Sequence, residues 1–165
     1  MAVALIDYGA GNLRSAAHAL EAAGATVTVT SDPATVLAAD RIVLPGVGAF
    51  GACAAALRAI PGMEEALHKA VGQHGRPFLG ICVGMQLMAA EGHEFGTHRG
   101  LGWIGGSVER MAPAGLKVPQ IGWNEVVPTA PGLIEPSLIK PGHAYFVHSY
   151  VLHPADPADV AATTD

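Results

Sequence analysis

The feature that most constrains this chain is the alternation, across residues 2–81, of short apolar runs with segments of helical periodicity. Ala2 to Ile6 is an apolar run ending at Asp7-Tyr8-Gly9, with the length and flanks of a strand buried on both faces. Leu13, Ala16, Ala17 and Leu20 then recur at helical spacing, with Asn12 as the N-cap and Gly24 as the stop. The pattern repeats. Thr26 to Thr30 is β-branched, Ser31-Asp32-Pro33 opens a short helix with proline at its first position, and Arg41 to Leu44 is another apolar strand. Helices are expected over residues 49–59 and 63–72, and Pro77 to Ile81 runs as a strand straight into Cys82. This order predicts an α/β fold with a doubly wound parallel sheet.

After Glu91 the texture changes. Glycines and prolines break short β-prone pieces near Gly105 to Met111, Ile121 to Val127 and Ala144 to Leu152, which are expected to extend the sheet in antiparallel fashion. With 165 residues and no linker, the chain is expected to form one domain over 1–165. Its last residues, Val160 to Asp165, have strand-like composition and no closing helix, so the sequence reads as cut in mid-fold.

Composition removes several function classes. Half of the residues are apolar and only 14% are charged, a globular balance rather than a disordered one. The formal charge is −5 and the nine Lys and Arg residues are scattered singly, so there is no basic stripe to neutralise phosphates and no nucleic-acid partner is expected. The longest weakly polar run, Pro77 to Ala90, is shorter than the roughly 18 apolar residues that cross a bilayer. Asp7 interrupts the N-terminal apolar run too early for a signal peptide, and a cytoplasmic location is the expectation. Cys53 and Cys82 are read as free thiols.

The chemistry concentrates at Gly80-Ile81-Cys82-Val83-Gly84. This is G-x-C-x-G placed between a strand and the helical-looking segment Met85 to Ala89, the nucleophile-elbow pattern with sulfur in place of oxygen. Glycines on both sides permit a sharp, strained turn that holds the side chain out at the carboxyl end of the strand. A helix N-terminus there favours thiolate over thiol, and the Val83 N–H is the natural first donor to an oxyanion. A second loop, Leu44-Pro45-Gly46-Val47-Gly48-Ala49-Phe50, ends the third strand on the same sheet edge, so both loops can line one crevice. Its match to G-x-G-x-x-G is weak, because no acidic strand end follows at the spacing a dinucleotide site needs. Cys53, inside an alanine-rich helix, is read as a core residue.

Four segments carry a family resemblance: Pro45-Gly46-Val47-Gly48, Gly80 to Gln86, Pro119-Gln120-Ile121-Gly122-Trp123-Asn124, and Tyr145-Phe146-Val147-His148-Ser149-Tyr150. Together they resemble the glutaminase subunits of imidazole glycerol phosphate synthases, a branch of the class I (triad) glutamine amidotransferases. The resemblance implies a flavodoxin-like three-layer doubly wound fold whose C-terminal part is missing here. It implies Cys82 as the nucleophile that attacks the side-chain amide of glutamine, with the N–H groups of Val47 and Val83 as the oxyanion hole. Gly46, Gln86, Ser149 and Tyr150 would hold glutamine, and Asn12 and Trp123 would face the partner, a (β/α)₈-barrel cyclase that consumes the ammonia. Trp123 has an alternative reading as a core aromatic. No cofactor and no metal is implied, and the loop residues His93 and His98 lack the cysteine support of a metal site.

A cysteine nucleophile of this kind needs an imidazole and a carboxylate to orient it. In the family these come from a late His-Pro-Glu motif, which this sequence does not reach. His153-Pro154-Ala155-Asp156 is a poor substitute, lacking the Glu two places on. The alternatives are a non-catalytic domain that only binds the cyclase, or another amidotransferase or cysteine hydrolase with the same elbow.

Overall fold

The computed structural model describes residues 2–129 and 139–164. Four parallel strands, β1 (Ala2–Ile6), β2 (Thr26–Thr30), β3 (Arg41–Leu44) and β4 (Phe78–Gly80), form a sheet in the order β2-β1-β3-β4. The strand order reverses at β1, so the loops after β1 and β3 lie beside the switch point where open α/β sheets place ligands.

Both faces of the central strands β1 and β3 are covered, which explains why they read as continuous apolar runs, whereas Val29 on β2 and Leu79 on β4 stay exposed. Val3, Leu5 and Val43 pack against Leu13, Ala16, Ala17 and Leu20 of helix α1 (Leu13–Ala22). Ala4, Ile6, Ile42 and Leu44 face the other way, onto α2 (Pro33–Ala38), α3 (Phe50–Ala59) and α4 (Met63–Leu67). Alternate residues of each strand thus supply alternate layers, and the three-layer α/β expectation holds.

Local chemistry starts these helices where the sequence places them. Asn12 Oδ1 accepts from the Ser15 N–H at 3.3 Å, capping α1. Asp32 accepts from the N–H groups of Ala34 and Thr35, both at 3.1 Å, ahead of Pro33 in the first turn of α2. Helix α4 runs on as a wider π-helical stretch, His68–Gln73, where Trp103 Nε1 donates to His68 Nδ1 at 2.9 Å.

The helix expected over Met85 to Ala89 is shorter and earlier. It is the single turn α5 (Val83–Gln86), after which the chain enters strand β5 (Ala89–Gly92). The cause is tertiary. Carbonyls that would continue the helix accept from a returning segment instead: Leu101 N–H to Leu87 O at 2.7 Å, Trp103 N–H to Met88 O at 2.9 Å and Gly102 N–H to Ala89 O at 3.0 Å. Gly100 makes the approach possible, since a Cβ there would lie 2.1 Å from the Ala89 carbonyl oxygen.

The antiparallel pieces do not extend the first sheet. Strands β5, β6 (His98–Arg99), β7 (Ile104–Arg110) and β10 (Tyr150–Pro154) form a second sheet in the order β10-β7-β5-β6, within which β5 and β7 are parallel. Strands β8 (Gln120–Pro128), β9 (Gly142–His148) and β11 (Ala162–Thr163) form a third, in the order β11-β8-β9. The segment Ala144 to Leu152, expected as one strand, changes sheets at Ser149, whose carbonyl accepts from the Met111 N–H at 2.9 Å. Val108, Ala89 and Leu101, with Tyr150 and Leu152, join the second sheet to the core of the first.

Candidate active site

Cys82 stands at the carboxyl end of β4, exposed, with a backbone of φ 54 and ψ −119. Among the described residues only Cys82 and Phe95 are non-glycine positions with positive φ. A side chain held in that region costs about 1–3 kcal/mol and persists only where the surroundings impose it. The surroundings here are two close approaches. A Cβ on Gly80 would lie 2.4 Å from the Met85 Cα, and one on Gly84 would lie 1.9 Å from the Leu44 carbonyl oxygen. Neither glycine has positive φ. The sequence expectation assigned the unusual backbone to the glycines, whereas it sits on the cysteine and the glycines supply room for β3, β4 and α5 to touch.

With only one turn of helix beyond Cys82, little macrodipole acts on the sulfur. What remains is the N–H of Val83, the first helical residue, which has no hydrogen-bond acceptor among the described residues. No hydrogen bond to the Cys82 sulfur is present among them either.

The loop after β3 meets this turn. A Cβ on Gly46 would fall 2.6 Å from the Gly84 nitrogen, 2.8 Å from the Tyr8 hydroxyl and 3.0 Å from the Val83 Cβ. The two loops are therefore in contact, and Val47, 55% exposed, projects from theirs. Three tethers hold the loop: the Tyr8 hydroxyl donates to the Pro45 carbonyl at 2.7 Å, the Cys53 thiol donates to the Val47 carbonyl at 3.4 Å, and the Phe50 N–H donates to Glu94 Oε2 at 2.8 Å. Burial above all, then the neighbouring Cys53 and Cys82, pushes the Tyr8 hydroxyl far above the ordinary tyrosine range. Burial likewise raises the Cys53 thiol, against a smaller opposing effect of Tyr8. Both groups stay protonated and stay donors.

Gln86 and Tyr150 come together from distant parts of the sequence, the Gln86 amide donating to the Tyr150 carbonyl at 3.3 Å. The same carbonyl lies 2.9 Å from His148 Nδ1, and His148 Nε2 lies 2.8 Å from Gln120 Oε1. Ser149 is the corner between β9 and β10. Asn12 follows Gly11, whose Cβ position is 2.9 Å from the Pro45 ring, so the α1 cap adjoins the same loop.

Trp123 is 70% exposed and not a core aromatic. It stands on the β8–β9 ribbon opposite Tyr145, the two rings 5.6 Å apart and edge to face, and Ile121 is opposite Val147. All four are exposed, making one apolar face.

Besides His148, three histidines among the described residues have neighbours at the ring. His68 meets Trp103, His93 bridges Glu91 and Glu109 at 3.0 and 2.8 Å, and the His98 ring lies against Gly51. His153 is exposed on β10, about 10 Å along the strand from Tyr150. Among the described residues no group of three or more His, Cys, Asp or Glu side chains is arranged to hold a metal, and no helix is long and apolar enough to cross a membrane.

Sequence reasoning missed Tyr8, the Cys53 contact, Glu94 and the Gln120–His148 pair. Tyr8 carried a signal, standing at the carboxyl end of β1 on the edge shared by both loops. Glu94 carried none, since nothing local ties it to Phe50.

Residues 4–165 match the family model described as glutamine amidotransferase class-I. The chain is 55% identical to the imidazole glycerol phosphate synthase subunit HisH of Zymomonas mobilis subsp. mobilis, over 99% of this chain and 78% of that protein. It is also 55% identical to the HisH subunit of Rhodospirillum rubrum, over all of this chain and 81% of the relative. Among solved structures, a glutamine amidotransferase covers 96% of the chain with a TM-score of 0.72 at 18% identity, using 78% of its own length. PurLQS from Thermotoga maritima covers 99% with a TM-score of 0.70 at 18% identity, using 74% of its own length. The last two bear on the fold alone.

Proposed function

Because the chain belongs to the class-I glutamine amidotransferase family, we propose that it is the glutaminase subunit of imidazole glycerol phosphate synthase, hydrolysing glutamine and passing ammonia to a cyclase subunit in histidine biosynthesis. The observation that carries the catalytic part is the exposed thiol of Cys82, held at positive φ on the tip of β4 beside an unoccupied backbone donor.

In this reading the Cys82 sulfur, as thiolate, attacks the side-chain amide carbon of glutamine. The carbonyl π electrons move to oxygen, and the N–H groups of Val83 and Val47 stabilise the resulting oxyanion. Collapse breaks the carbon–nitrogen bond, and the nitrogen leaves as ammonia once protonated. Water then adds to the thioester, and glutamate departs as the thiol is restored. Gly46, Gln86, Ser149 and Tyr150 hold the substrate, a role supported by the Gln86–Tyr150 contact next to the elbow helix. The reaction needs an imidazole as proton acceptor, and the family resemblance assigns that role to the late His-Pro-Glu motif. Glutamine and no metal or cofactor enters the cycle.

The partner is a cyclase of (β/α)₈-barrel form. Trp123, with Tyr145, Ile121 and Val147, offers it an exposed apolar face, and Asn12 stands beside the loop that would open toward it. We place the complex in the cytoplasm, where that biosynthesis runs.

The deciding assay is glutamine hydrolysis by the full gene product with its cyclase, for wild type and Cys82→Ala. The expected result is loss of glutaminase activity with ammonia-dependent cyclisation intact. Equal loss of both activities, or glutamine turnover that survives the substitution, removes Cys82 from the role. Absence of glutaminase activity in the wild-type complex favours a domain that only binds the cyclase.

A further inference from the structure

The β8–β9 ribbon has two unlike faces. Ile121, Trp123, Tyr145 and Val147 stand exposed on one, while Gln120, Asn124 and His148, at the alternate positions, are half-buried on the other. This second face carries a continuous polar string. Gln120 Nε2 donates to Asn124 Oδ1 at 3.0 Å, reaching past Gly122, which has no side chain to stand between them. Gln120 Oε1 lies 2.8 Å from Nε2 of His148, its direct partner across the ribbon. His148 Nδ1 lies 2.9 Å from the Tyr150 carbonyl oxygen, which also accepts from the Gln86 amide at 3.3 Å.

The string ends on a carbonyl that faces away from its own sheet. Successive carbonyls of an extended chain point to opposite sides, and that of Ser149 is turned toward β7, where the Met111 N–H donates to it at 2.9 Å. The Tyr150 carbonyl is therefore turned to the outer side of β10, the edge strand of the second sheet. Side chains satisfy it in place of a neighbouring strand. A carbonyl only accepts, so His148 Nδ1 bears the proton and donates it.

Gln86 ends α5, the single turn that follows Cys82. Its amide has a donor end and an acceptor end of nearly equal shape, and partners alone decide which way round it sits. The Tyr150 carbonyl takes the nitrogen end.

Resting on the glutaminase reading above, we propose that His148 and Gln120 are positioning residues for glutamine: His148, itself held by Gln120, fixes the Tyr150 carbonyl, which in turn fixes which end of the Gln86 amide is left for the substrate. Neither His148 nor Gln120 touches glutamine; both act through Gln86.

The alternative is that His148 only packs within the ribbon, beside the Phe146 ring 5.8 Å away. Kinetics separates the two roles, because loss of binding made equally in ground and transition states raises KM and leaves kcat. The test uses the full gene product with its cyclase, as wild type, His148→Ala, His148→Asn, Gln120→Ala, Gln86→Ala and the double variant His148→Ala with Gln86→Ala. Measured are kcat and KM for glutamine, thermal midpoints, and the rate of Cys82 alkylation by iodoacetamide, which lacks the amino-acid end of glutamine and so reports the thiol alone.

The expected result is a KM raised roughly five- to tenfold in His148→Ala and about two- to threefold in Gln120→Ala, the range that one lost hydrogen bond of ordinary net strength produces. In both, kcat and the alkylation rate stay within about twofold of wild type. His148→Asn, whose amide nitrogen can donate from near the place of Nδ1, recovers most of the affinity. In the Gln86→Ala background, His148→Ala raises KM by less than about twofold, since the residue through which it acts is gone. Unchanged KM in His148→Ala and Gln120→Ala overturns the proposal. So does an equal effect of His148→Ala with and without Gln86, asparagine no better than alanine, or a loss that tracks the thermal midpoint or the alkylation rate. Should His148→Ala fail to fold, Gln120→Ala and His148→Asn decide: wild-type KM in the first, or a KM in the second raised beyond tenfold, overturns it equally. A wild-type complex that does not hydrolyse glutamine sinks the glutaminase reading itself, and is read before any variant.

Discussion

Gly84 and Leu44 approach so closely that a Cβ on the glycine would come within 1.9 Å of the leucine carbonyl oxygen. Backbone, not a movable side chain, occupies the space, so neither partner yields without displacing β3 or α5. This contact keeps the turn beneath Cys82 tight.

Replacing Gly84 with alanine should therefore cost at least about 2 kcal/mol through overpacking, and valine more. Chemical denaturation gives the stability. The alkylation rate of Cys82 should change with it, because moving α5 moves the sulfur. A Gly84→Ala protein with wild-type stability and thiol reactivity contradicts the geometry.

Cys82 itself bears the strained backbone, at φ 54. Cys82→Gly should be more stable than Cys82→Ala by about 1 kcal/mol, since glycine adopts that region without penalty. Both are expected to lack glutaminase activity. Equal denaturation midpoints for the two would mean that the main chain relaxes once the sulfur is gone.

Gln86→Ala removes the amide that joins the elbow helix to the Tyr150 carbonyl. A partly buried neutral hydrogen bond is worth about 1 kcal/mol, so the fold should survive while KM for glutamine rises severalfold. Steady-state kinetics at saturating and limiting glutamine separates the effects. A fall confined to kcat would argue against a binding role.

Asp32 is held below the ordinary carboxylate value of 3.8, first by the Thr35 hydroxyl and then by the N–H groups of Ala34 and Thr35. A folded-state value below the unfolded one means stability that is fully present above the unfolded value and lost as pH falls through the folded one. The difference in denaturation midpoint between wild type and Asp32→Ala should thus be largest near neutrality and shrink below pH 3.8. A gap that widens in acid has the wrong sign for this cap.

Trp123→Ala should leave the thermal midpoint nearly unchanged, because the ring is mostly in solvent, yet weaken binding of the cyclase by tenfold or more. Titration calorimetry of the purified subunits measures it. Unaltered affinity would take the β8–β9 face out of the interface.

The first half of the fold was legible because its central strands β1 and β3 are covered on both faces and its helices pack one face inward, so burial writes its period into the residues. Asn12 and Asp32 announced their helices by local capping chemistry. The stretch from Leu87 to Ile104 was not legible, because its carbonyls are claimed by a segment that arrives from elsewhere and turns expected helix into strand. The site divides along the same line. Spacing alone marked Gly80, Cys82 and Gly84, yet gave the glycines the wrong task, since a steric gap between strands leaves no trace in one sequence. The tethers from Tyr8 to Pro45 and from Glu94 to Phe50 span 37 and 44 positions, beyond any local pattern.

The two cysteines of this chain live in opposite surroundings, one open to solvent and one enclosed by the central core. A colorimetric disulfide reagent should accordingly register a single equivalent from the native chain and a second only as the interior opens. The delay between the two equivalents is a built-in clock for breathing of the main core, readable without any added label.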